Sequence, residues 1–66
     1  MPKTIDELAT MISQRDGISY RDAMEQIRDC AAEMESAFDR GDLFEVEDIL
    51  KDWLGLEPDY LDLFIF

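Results

Sequence analysis

The chain has 66 residues, 47% of them hydrophobic, and its 17 acidic against 6 basic side chains give a net charge of −11. A chain of this size predicts one domain that buries only about 60% of its unfolded surface, and its apolar content argues against full disorder. The charge opposes binding to nucleic acid or to an anionic membrane and favours a basic partner, while one cysteine excludes an internal disulfide framework.

Residues 4–15 predict a first helix. Thr4 suits its N-cap, with Glu7 three positions on to complete a capping box. Ile5, Leu8, Ala9 and Ile12 share one face, with Met11 beside it. Asp16-Gly17 is a stop signal, because glycine takes a left-handed cap at no steric cost, and Ile18 is a packing residue in the turn.

Residues 19–40 predict the organising element, a helix of about six turns and roughly 33 Å at 1.5 Å per residue. Tyr20, Met24, Ile27, Ala31, Met34 and Phe38 alternate at spacings of four and three and form one apolar stripe. Ala23, Cys30 and Ala37 widen it. Ser19 suits the N-cap, and Arg40-Gly41 the end. On another face Asp22, Glu25, Asp29 and Glu33 form an acidic row. Arg21 and Arg28 are each in reach of Glu25.

Residues 42–54 predict a third helix, opened by Asp42 with Glu45 in a second capping box and stopped by Gly55. Leu43, Val46, Ile49, Leu50, Trp53 and Leu54 face inward, with Phe44 at the edge. Glu45, Asp48 and Asp52 make a second acidic row, and Glu47 and Asp48 share Lys51.

Residues 58–64 predict a short fourth helix, with Pro58 at its first position and Asp59 in its first turn. A tail as apolar as Tyr60 to Phe66 aggregates if left in water. It either folds back to close the bundle or enters a partner or a second copy, and its last residues are the part expected to touch another chain. The predicted fold is all-α: a single domain over 1–66, three helices plus a short C-terminal fourth, packed around Tyr20, Met24, Ile27, Met34, Phe38, Ile49, Leu50 and Trp53.

The chemistry of catalysis is missing from the sequence. There is no histidine, and Cys30 lies on the apolar stripe with nothing basic placed to activate it. Asp39 to Asp42 lacks the spacing of a calcium loop, and no glycine-rich phosphate loop exists. The expectation is therefore a non-enzymatic protein with no catalytic, cofactor-binding or metal-binding residue. A DNA-reading helix-turn-helix would need basic residues at the start of its second helix, where Arg21 is followed by Asp22 and Glu25. No apolar run reaches the ~18 residues of a membrane span, and residues 1–12 lack a signal-peptide pattern, so the protein is expected in the cytoplasm.

What remains is the two acidic rows. Like charges one turn apart destabilise a helix by a few tenths of a kcal/mol per pair, and charge scattered over the surface would serve solubility as well. Carboxylates at i and i+4 sit about 6 Å apart, near the spacing of successive phosphates, so a groove built for DNA or RNA would accept them.

The strings Arg40-Gly41-Asp42, Val46-Glu47-Asp48-Ile49-Leu50 and Leu54-Gly55-Leu56-Glu57-Pro58-Asp59-Tyr60 form a recurring ending. It resembles that of small acidic helical proteins of unknown function from phages and mobile elements of gut and Gram-positive bacteria. The resemblance implies an element that counters a host nuclease or another defence system. The expected function is thus an inhibitor of the anti-CRISPR or anti-defence type, held to a basic nucleic-acid-handling host protein by Asp22, Glu25, Asp29, Glu33, Glu45, Asp48 and Asp52. The alternative is an adaptor, an antitoxin-like neutraliser or a homodimer, which would recognise its partner through Tyr60, Leu63, Phe64 and Phe66.

Overall fold

Three side chains start three helices. In the computed structural model, which describes residues 1–64, the Thr4 hydroxyl accepts the Glu7 N–H at 3.1 Å, the Ser19 hydroxyl accepts that of Asp22 at 3.0 Å, and Asp42 Oδ1 accepts that of Glu45 at 3.0 Å. Each bond satisfies one of the donors a helix start leaves without an internal partner. The helices are α1 (Ile5–Asp16), α2 (Tyr20–Asp39) and α3 (Leu43–Leu54). The return half of each predicted capping box is absent. Glu7 accepts instead from the Lys3 N–H at 2.6 Å, and Glu45 turns to Arg40.

Glycine ends α1 in a left-handed turn. Gly17 has φ 67°, its N–H bonds the Ser13 carbonyl, and the next N–H, that of Ile18, bonds the same carbonyl at 3.1 Å. Only glycine adopts that conformation without a steric penalty. The Ser13 hydroxyl donates to the Ile18 carbonyl at 2.6 Å and holds the turn closed.

The expected short fourth helix is present as a single 3-10 element, η1 (Pro58–Leu63). Its bonds span three residues, Tyr60 N–H to the Glu57 carbonyl at 3.1 Å and Phe64 N–H to that of Leu61 at 3.0 Å. The tighter winding suits a segment too short to repay the nucleation of an α-helix.

Helix α2 is the centre of the bundle. Both α1 and α3 pack on it, and η1 packs on α3. The line of α2 that faces its neighbours is Ala23, Ile27, Cys30, Met34 and Ala37, all buried. It is rotated by about 60° from the predicted stripe, counting 100° per residue. Tyr20 and Phe38 were expected in the core and are 44% and 45% exposed. The reason is volume. A helix packed on two sides needs small residues along its central line so that both neighbours can approach, which moves the bulky ones to the rim. Tyr20 is useful there: its hydroxyl donates to the Asp6 carboxylate and ties α2 to α1. Trp53, also expected inside, is 49% exposed near the end of α3, and Met24 and Ile49 are only half-buried against the core. Ile27, Met34 and Leu50 are buried as expected, joined by Leu8, Ile12, Val46, Leu54 and Leu56.

The described part of the tail folds back. Phe64 is buried, Leu61 and Leu63 pack on the core, and the Tyr60 hydroxyl lies 3.9 Å from Met11 Sδ on α1.

Candidate functional site

The acidic residues of α2 keep the register the sequence assigns. Asp22, Glu25, Asp29 and Glu33 are all exposed and lie on a face about 120° from the buried line, at 100° per residue. On α3, Asp48 and Asp52 are exposed and Glu45 is half-buried. The buried side of α3 is Val46, Leu50 and Leu54, so this second row also stands away from the core.

The two rows meet at Arg40. Its guanidinium reaches Glu45, the first member of the α3 row, at 2.9 Å. It also stands seven positions after Glu33, two turns along the same α2 face. Glu45 is the main cause that holds the Arg40 guanidinium above its ordinary pKa, and Asp42 and Glu33 add to it. One cation at the α2–α3 corner thus feels Glu33, the last member of the α2 row, and Glu45, the first of the α3 row. The sequence marks Arg40 only as a helix-terminal basic residue. The available signal is its spacing of seven from Glu33, which continues the α2 row.

Few cations offset these carboxylates. Arg21 Nε approaches Glu25 at 3.9 Å, the predicted i,i+4 pair, with both side chains largely in water. Such exposed pairs contribute at most about 1 kcal/mol. The predicted pairing of Arg28 with Glu25 is absent. Arg28 instead borders an apolar groove lined by Ile5, Met24, Ile27, Ala31 and Phe64. Lys51 pairs with neither Glu47 nor Asp48. Among the described residues no basic side chain lies within 4.0 Å of Asp22, Asp29, Glu33, Asp48 or Asp52.

No family model, curated protein or solved structure matches the chain.

The alternative recognition surface divides. Tyr60 and Leu63 are half-buried and Phe64 is buried, all three against the protein's own core. Phe66 lies outside the described residues. The apolar surface that does face solvent is elsewhere, at the start of α3, where Leu43 is 60% and Phe44 84% exposed. The sequence places Leu43 inward and Phe44 at the edge. Leu43 precedes the first buried position, Val46, by almost a full turn, so it overhangs the end of the core. Beside it Phe38, Val46, Glu47 and Leu61 line a second groove.

Cys30 fits a structural role. It is fully buried, its Sγ lies 4.0 Å from the Ile49 carbonyl of α3, and burial pushes the thiol up to about 11. A thiol so placed stays protonated and inert at neutral pH. Among the described residues no helix is long and apolar enough to cross a membrane.

Proposed function

We propose that this chain is a non-enzymatic acidic binding protein that occupies a basic, nucleic-acid-binding surface of a host protein. In this reading it is an inhibitor of anti-defence type carried by a phage or mobile element, with an anti-CRISPR as the concrete form. The observation that carries the reading is the placement of Arg40 between the ends of two carboxylate rows, five of whose members have no basic group within 4.0 Å among the described residues.

The mechanism follows from electrostatics. A groove that binds DNA or RNA presents lysines and arginines at phosphate spacing, and neutralising them gives an affinity that depends strongly on salt. Asp22, Glu25, Asp29 and Glu33 offer charge at a similar interval on a backbone already ordered, so docking forfeits little conformational entropy. Glu45, Asp48 and Asp52 extend the charged face across the corner. Binding excludes the nucleic acid by occupancy, with no bond made or broken.

The test begins with capture of partners from a bacterial lysate on immobilised protein, eluted with rising salt. A nucleic-acid-binding protein that elutes as salt rises, and whose DNA or RNA complex the free chain displaces, is the expected result. The variant Glu25→Gln/Asp29→Gln/Glu33→Gln should bind that partner at least about tenfold more weakly, an order set by removing several charges from one interface. Full binding by this variant, or binding indifferent to salt, would sink the proposal.

A further inference from the structure

We infer that Leu43 and Phe44 form the apolar anchor of this acidic face, and that the anchor takes a basic polypeptide segment carrying a large apolar side chain. The inference rests on the proposed reading that the partner is basic, and adds how it is held.

Nothing in the fold of α3 needs an aromatic residue at position 44. Asp42 caps the helix, and Val46, Leu50 and Leu54 supply its buried face. Phe44 stands about 120° around the helix from that face, at 100° per residue, and is the most exposed large apolar side chain described. Its neighbours one turn on are Glu47 and Asp48, and Glu47 is also one turn from Leu43. The result is an apolar knob with carboxylates along its rim, beside the groove that Glu47 borders. Protein interfaces concentrate their affinity in such aromatic anchors, set within a polar rim.

Charge complementarity selects the occupant. A second copy would bring a charge of −11 against −11, with Glu47 and Asp48 opposed to carboxylates. A nucleic acid or an anionic membrane would be repelled in the same way. A polypeptide with lysines or arginines flanking an aliphatic or aromatic side chain satisfies both the rim and the knob. Such a contact resists salt better than the rows do, because apolar burial is not screened.

The experiment uses two synthetic peptides of equal positive charge. One is an amphipathic helix of leucine and lysine about four turns long, the other the same sequence with serine for leucine. Affinities are measured at low and high salt for the intact protein and for Phe44→Ser, with circular dichroism to verify that the variant is folded. The intact protein should prefer the leucine peptide by about tenfold, and Phe44→Ser should lose most of that preference while binding the serine peptide unchanged, as expected of an aromatic anchor. Phe44→Leu should restore part of it. Equal affinities of the intact protein and Phe44→Ser for both peptides would overturn the anchor and leave the acidic rows standing. Failure of the intact protein to bind either peptide at low salt would instead overturn the acidic reading itself. A concentration-dependent dimer that Phe44→Ser abolishes would assign the knob to a second copy and overturn the inference.

Discussion

Cys30 shows how far one atom's surroundings can be read as chemistry. Its thiol sits on the central line of α2, against the Ile49 carbonyl of α3, where an ion would have no solvent. Its pKa rises from 9.0 to about 11 through desolvation alone. A folded-state pKa above the unfolded value means stability that is complete below the unfolded pKa and is lost as pH rises through the folded one. The protein should therefore hold its stability up to about pH 9 and lose it progressively towards pH 11, as the thiolate forms more readily in the unfolded chain. Cys30→Ala should flatten that part of the curve. Denaturant titrations at pH 8, 9.5 and 11 on both proteins check this, and an unchanged alkaline slope in Cys30→Ala would remove the thiol as its cause.

At the scale of the helix, the informative feature is the rotation of the buried line of α2 onto small residues. Ala37 is fully buried, whereas Ala32 is exposed on the same helix. Leucine has nearly the helix propensity of alanine, so the same change at both positions isolates packing. Ala37→Leu should cost about 1–3 kcal/mol by overpacking, and Ala32→Leu less than about 0.5 kcal/mol. Chemical denaturation of the two variants decides it; equal costs would mean that the packed line had been placed wrongly. The same feature marks what the sequence could disclose. The three caps were legible because a cap is settled within four residues, by Thr4 and Glu7, Ser19 and Asp22, and Asp42 and Glu45. The stripe was misplaced because periodicity weighs apolar character and ignores volume, so Tyr20 and Phe38 outweighed Ala23 and Ala37. The acidic rows were legible as rows. Their meeting at Arg40 was not, because it depends on how α2 and α3 cross.

The whole molecule is about as large as its own electric field at low salt. Its longest dimension is 33 Å, and the screening length is about 30 Å at 0.01 M salt but about 3 Å at 1 M. At low salt nearly every carboxylate therefore repels every other. Raising sodium chloride from 0.01 to 0.5 M should stabilise the fold by roughly 1 kcal/mol, equivalent to about 4–8 °C in Tm for a domain of this size. Thermal melts followed by circular dichroism measure it, and a Tm that falls with salt would mean that ion pairs, not repulsion, dominate the surface. Salt should thus strengthen the fold while it weakens the proposed complex, so partner loss at high salt cannot be ascribed to unfolding.

The order of packing also bears on speed. Helices α1 and α3 dock on the element next to them in the chain, and η1 docks on α3. Closure over short loops asks little chain entropy before contacts form. Helical domains wired in this way fold in microseconds to milliseconds. The return of the tail to α1, with Tyr60 against Met11 and Phe64 sharing a groove with Ile5, joins the most distant parts of the described chain. A nascent chain of this kind has little time in which its apolar stretches stand bare, which matters for a sequence that is nearly half hydrophobic.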